Sequence, residues 1–137
     1  MSVFTREIVV RFEHCDPAGL MFYPRFFGLV NEIVEDWFAS LAHSFKSLHL
    51  DKGMGVPTVK LDAEFLHPLS MGDTLTQTLR VTHLGRSSCQ LRHEGCVDGK
   101  VMATFAQTIV YVDLATMKAQ EWPPDLRAAM DRTREQT

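Results

Sequence analysis

Cysteine is scarce and odd in number in this 137-residue chain: Cys15, Cys89 and Cys96 cannot build a fully paired disulfide framework. They read as free thiols in a reducing compartment, which makes the cytoplasm the expected location. Basic charge is not in excess either. Fourteen Lys and Arg stand against 17 Asp and Glu, a formal net charge of -3, the opposite of what neutralising nucleic-acid phosphates requires. No uninterrupted apolar run approaches the roughly 18 residues of a membrane span. The first segment, Met1 to Phe12, has charges interrupting any apolar region and no small-residue cleavage site, so neither export nor a membrane partner is expected. No Pro, Gly or Ser-rich stretch divides the sequence, and residues 1–137 read as one domain. A GxSxG elbow, a Walker loop and a dinucleotide-binding glycine pattern are all missing, which removes the serine-hydrolase, P-loop and Rossmann readings. Metal is not expected: on a strand Cys89 and His93 share a face whereas Cys96 points to the other.

What is present is a change of hydrophobic period along the chain. From Thr5 to Phe12, Ile8, Val10 and Phe12 alternate with Glu7, Val9 and Arg11, as in a half-buried strand. A turn cluster follows, His14-Cys15-Asp16-Pro17-Ala18-Gly19, in which Asp-Pro initiates a turn and Gly19 permits a positive φ. From Pro24 to about His43, Phe26, Phe27, Val30, Ile33, Val34, Trp37, Phe38 and Leu41 recur at threes and fours, predicting one long helix with Pro24 in its first turn. Ser44 to Gly55 reads as a short irregular or helical piece. Strand-like runs then cover Val56–Leu66, Thr74–His83, Ser88–Val97 and Val101–Val112, with turn signals at Gly72-Asp73, Gly85 and Asp98-Gly99. A short helix follows Pro123-Pro124. Strands joined by short turns are antiparallel, so the predicted class is α+β, a mostly antiparallel sheet covered by one hydrophobic helix.

The segment His14 to Pro24, HCDPAGLMFYP, resembles the active-site signature of the 4-hydroxybenzoyl-CoA thioesterase family, through Asp16, Gly19, Tyr23 and Pro24. Val56–Phe65 with the following Pro68 and Gly72-Asp73-Thr74-Leu75, and the Gly85-Arg86-Ser87-Ser88 turn, extend the likeness over roughly Glu7 to Pro123. The resemblance implies the hotdog fold, five antiparallel strands wrapped round a long central helix. It also implies a homodimer whose sheets join side by side, active sites at the dimer interface, and a tetramer as the expected larger assembly.

It further implies hydrolysis of an acyl-CoA thioester, with coenzyme A part of the substrate and no separate cofactor. Such chemistry needs an oxygen nucleophile near the carbonyl and donors aimed at the developing oxyanion. By resemblance Asp16 is the nucleophile or general base, and the Tyr23 backbone N–H is the oxyanion donor. Taken alone, Asp16 would equally suit an Asx-turn with its neighbours. Gly19, Phe22, Phe26 and His67 are candidates for the substrate pocket. Arg86, Ser87 and Ser88 are candidates for the CoA phosphates or pantetheine arm, since arginine pairs with phosphate as a fork. Asn31 departs from the family members that bind a 4-hydroxyl group, which carry a carboxylate there; an unsubstituted or differently substituted aryl group, or a short acyl group, is equally compatible. An acyl-carrier-protein thioester, or a non-catalytic acyl-CoA-binding module, are the alternatives.

Overall fold

The computed structural model describes residues 3–134. Five strands form one antiparallel sheet: β1 (Phe4–Val9), β3 (Thr58–Phe65), β4 (Thr74–Leu84), β5 (Ser88–Val97) and β6 (Lys100–Val110) lie in the order β1-β4-β5-β6-β3. A minor two-stranded sheet, not foreseen in the sequence, pairs β2 (Met54–Gly55) with β7 (Val112–Asp113). The helix α1 (Tyr23–Ser40) lies across one face of the large sheet, and α2 (Pro124–Asp131) closes one end. This is the predicted α+β hotdog architecture. Asp98 and Gly99 take positive φ of 51° and 79° in the β5–β6 turn, as a two-residue hairpin of right-handed twist requires.

The face of α1 set by its three-four spacing meets the sheet. Near its start Phe26, Leu29 and Val30 pack with Val10, Leu75 and Phe105. Toward its end Ile33, Val34, Trp37 and Phe38 pack with Leu79, Leu91, Trp122 and Met130. Burying each such aliphatic or aromatic side chain contributes about 1.5–3 kcal/mol. Gly95 permits a close approach of helix to sheet: a Cβ there would lie 2.8 Å from the Phe26 ring. α2 is tied on by Trp37 Nε1, which donates to Thr133 Oγ1 at 3.0 Å, and by the Arg127 guanidinium, which donates to the Gly85 and Leu84 carbonyls at the β4–β5 turn.

Two boundaries differ from the sequence expectation. The helix stops at Ser40 rather than His43, because Ala42 enters the left-handed region at φ 66° and the His43 N–H returns to the Phe38 carbonyl at 3.0 Å. That is a Schellman closure without its usual glycine, so nothing in the sequence marked it. β1 ends at Val9, and Phe12, expected on the inward face, is 81% exposed on a single 3-10 turn (Phe12–His14). Val10 turns the chain away by donating to the Asp73 carbonyl and accepting from Gly72 N–H.

Both edges of the sheet belong to strands whose neighbours lie on one side only. β1 alternates half-buried and exposed residues, and Arg6 holds it to α1 through Glu32 and Asp36. Every residue of β3 is exposed, including Val59 (62%) and Phe65 (45%), although its period of two is that of a half-buried strand.

Candidate active site

Asp16 sits in the loop between β1 and α1, anchored at both flanks. Cys15 bridges to Met21 and Leu20 to Ser70, and the Asp16 N–H donates to the Leu20 carbonyl at 2.8 Å. Gly19, at φ 79°, lets the chain reverse so that its N–H reaches the Asp16 carbonyl. The side chain makes the Asx-turn foreseen as the structural reading: Oδ1 accepts from Ala18 N–H at 2.9 Å and Leu20 N–H at 3.3 Å. Oδ2 has no hydrogen-bond partner among the described residues. One carboxylate oxygen is therefore pinned while the other stays available, so the turn and a chemical role are compatible.

The loop delivers the chain into α1 at Tyr23. Phe22 is its N-cap and donates its N–H to the His14 carbonyl at 2.9 Å, while its half-exposed ring meets Tyr23 edge-on. As the first helical residue, Tyr23 has no intrahelical acceptor for its N–H, and none is found among the other described residues. Pro24 has no N–H, so it leaves no competing donor at the second position. The positive end of an 18-residue helix thus presents a free backbone donor where the loop that carries Asp16 ends.

Beside this corner lies a cleft of about 250 Å³ lined by Met21, Tyr23, Phe26, Phe65, His67 and Leu69. Phe26 lines it with a ring that is 1% exposed and packed on Phe105, so this residue is mostly core. His67 is exposed at its rim. Phe65 and Leu69, which the sequence reading did not single out, complete the wall. A second groove, of about 280 Å³, lies along the helix toward the start of β3 and holds Asn31, Phe45, His49, Pro57 and Thr58. Asn31 donates from Nδ2 to Glu35 Oε1 at 3.0 Å, so a carboxylate does stand beside it, one helical turn on.

Arg86, Ser87 and Ser88 do not join Asp16 within one chain. They form the β4–β5 turn, whereas Asp16 lies near the start of β4, and β4 spans 11 residues. The two sets are thus separated by roughly 33 Å of strand. Arg86 pairs with Glu121 at 3.5 Å and both side chains are largely exposed. Of the cysteines, Cys89 is buried, and burial pushes its thiol up to about 12, so it stays protonated. Burial first, and then the Glu94 carboxylate, raise Cys96 as well. Among the described residues no group of His, Cys, Asp and Glu has metal-binding geometry, and no helix is long and apolar enough to cross a membrane.

An antiparallel sheet wrapped on one helix, with an aspartate turn feeding the helix N-terminus, defines a hotdog protein of the thioesterase type. The chain belongs to the thioesterase-like superfamily, whose family model matches residues 10–130, and it is a thioester hydrolase. It is 25% identical over 123 residues to a 1,4-dihydroxy-2-naphthoyl-CoA hydrolase from Nostoc punctiforme, covering 90% of this chain and 83% of that one. It is 28% identical over 110 residues to a protein of the same name from Synechococcus elongatus, covering 80% of each. Among solved structures, a thioesterase superfamily protein from Jannaschia matches with a TM-score of 0.90 at 26% identity, over 98% of this chain and 95% of that one. A 1,4-dihydroxy-2-naphthoyl-CoA thioesterase from Synechocystis shares the fold, with a TM-score of 0.87 at 22% identity over 94% and 96% of the two chains.

Proposed function

We propose that the protein hydrolyses an aryl-CoA thioester to the free acid and coenzyme A, with Asp16 as nucleophile or general base and the Tyr23 N–H as oxyanion donor. Two features of one loop carry this reading: the half-tethered Asp16 carboxylate, and the unpaired Tyr23 N–H at the helix start to which the loop leads. Two backbone donors fix the carboxylate's direction, and its second oxygen remains for chemistry. A thioester whose carbonyl oxygen points at Tyr23 N–H gains stabilisation as the oxyanion forms. Asp16 Oδ2 then either attacks the carbonyl carbon, expelling CoA thiolate and leaving a mixed anhydride for water to cleave, or removes a proton from an attacking water. The relatives named as 1,4-dihydroxy-2-naphthoyl-CoA hydrolases support CoA as carrier and an aryl group as cargo.

The working unit in this reading is a homodimer joined through β3. An unpaired edge of eight exposed residues is a template for another strand. Two copies paired antiparallel about a two-fold at Leu61 set Lys60 of each opposite the partner's Asp62, an attractive pair formed twice. The same two-fold turns the partner's start of β3 and its β4–β5 turn toward the Asp16 end. Asn31 of the partner then faces the cleft at Tyr23, and the partner's Arg86, Ser87 and Ser88 come to the side where the CoA phosphates would leave it.

Thiol release from a panel of benzoyl, hydroxybenzoyl, hydroxynaphthoyl and straight-chain acyl-CoAs tests the proposal. The expected result is preferred turnover of aryl-CoA, reduced on the order of a thousandfold by Asp16→Asn, with the oligomer mass unchanged. Turnover insensitive to that substitution would overturn the role of Asp16.

A further inference from the structure

Under α1 a chain of side-chain hydrogen bonds runs from the core to the open edge. His93 on β5 is 3% exposed, and its Nε2 lies 2.7 Å from Gln107 Oε1 on β6. Gln107 Nε2 donates in turn to Thr58 Oγ1 on β3 at 2.9 Å. Because the amide oxygen can only accept, His93 must carry its proton on Nε2. The polarity is consistent with what burial demands: this orientation leaves only a lone pair on His93 Nδ1 without a partner, whereas the reversed one would bury an unpaired N–H. Burial also pushes His93 down to about 4, against the smaller opposing effect of the Gln107 bond, so the ring is neutral near pH 7.

Each link therefore points outward, His93 to Gln107 and Gln107 to Thr58. Thr58 Oγ1 has received its bond from the protein, and its own hydroxyl hydrogen remains to be given away. Thr58 is exposed and lines the same groove as Asn31. This differs from the other side of the sheet. There Arg6 Nε donates to buried Gln77 Oε1 at 2.7 Å, and Gln77 Nε2 donates to the Leu29 carbonyl at 3.2 Å, so that chain begins and ends on protein.

We infer that Thr58 is a specificity-determining residue, donating its hydroxyl hydrogen to a ring oxygen of a hydroxylated aryl group in the partner subunit's active site, with Gln107 and His93 as positioning residues. This rests on the aryl-CoA thioesterase reading and on the β3-joined dimer. β3 runs about 23 Å from Thr58 to Phe65, so only a partner's Thr58 reaches the cleft beside Tyr23 and Phe65. The acyl ring would enter between the apolar walls of that cleft, and its polar substituent would meet the partner's Thr58 at the far rim.

The test compares kcat/KM for the 2-, 3- and 4-hydroxybenzoyl and 1,4-dihydroxy-2-naphthoyl thioesters of CoA with that for benzoyl-CoA, in wild type, Thr58→Val, Thr58→Ser and Gln107→Met. The wild type is expected to favour at least one hydroxylated ring about tenfold over benzoyl-CoA, one good hydrogen bond's worth. Thr58→Val should collapse that ratio toward one, Thr58→Ser should retain it, and Gln107→Met should lower it part of the way. A ratio that Thr58→Val leaves intact, an equal loss on all substrates, or a wild type without preference would overturn the assignment. If Asp16-dependent hydrolysis persists in those cases, only the role of Thr58 falls. If no acyl-CoA is hydrolysed in an Asp16-dependent way, the thioesterase reading falls, and this assignment with it.

Discussion

The β1 and β3 edges are each hydrogen-bonded to a buried glutamine, Arg6 donating to Gln77 at β1 and Thr58 accepting from Gln107 at β3, and the two are finished differently. At β1, Arg6 is 16% exposed and its guanidinium serves Gln77, Glu32 and Asp36 together, so the edge is sealed by side chains of the same chain. At β3, no residue is buried and the hydrogen-bond chain from His93 stops at a hydroxyl facing out. The Asp16 corner and the aromatic cleft lie at the Phe65 end of this unfinished edge. The contrast teaches that one edge serves stability within the subunit, while the other is shaped for what comes from outside it, a second copy and a ligand.

Breaking β3 should have the largest effect. Leu61→Arg, at the point where two copies would meet, is expected to raise the dimer dissociation constant at least about a hundredfold, near 3 kcal/mol. Sedimentation velocity would then show the 15.5 kDa chain mass in place of twice that value. Thiol release should be lost at concentrations where the variant is monomeric. Thr5→Arg, a substitution at an exposed position of β1, should change neither quantity, and equal effects at the two edges would erase the distinction between them.

A second test sharpens the contrast between the two buried chains, because only the β3-side chain contains a titratable core residue. His93 is lowered to about 4 by burial, whereas the unfolded chain takes up this proton near ~6.5. Between these values the unfolded state binds more protons than the native one, so stability falls as pH falls from about 6.5 to about 4 and levels off below. The lowered value corresponds to at most about 3 kcal/mol. Urea unfolding of wild type against His93→Gln across that window should show a steeper slope in the wild type, the difference between the two being the His93 contribution. The smallest effect belongs to the sealed edge. Arg6→Ala should lower stability by about 1 kcal/mol, since Glu32 and Asp36 are more than half exposed and their pairing with Arg6 is screened. The loss should shrink further in 1 M salt.

Much of this organisation was legible in the residues. The spacing of Phe26 through Leu41 identified α1, the period of two identified the main strands within a few residues, and Asp98-Gly99 marked its hairpin. The Asp16 turn and the start of α1 were legible too, because a turn, a proline in the first turn and an N-terminal donor are local events. The fate of Val59, Leu61 and Phe65 was not, since alternation marks a strand without saying whether anything covers its apolar face. Nor could the pattern show that Arg86–Ser88 and Asp16 lie at opposite ends of the sheet, which the direction of β4 decides.

The sequence by itself therefore determined which segments are helix and strand, and where the carboxylate turn lies. Those depend on neighbours within a few residues. The tertiary structure decided the rest: Gln107 meets Thr58 from 49 positions away, and Arg6 meets Gln77 from 71. Those meetings arise from strand order and register, which are settled when the sheet closes on α1 and carry no short-range signature in the chain.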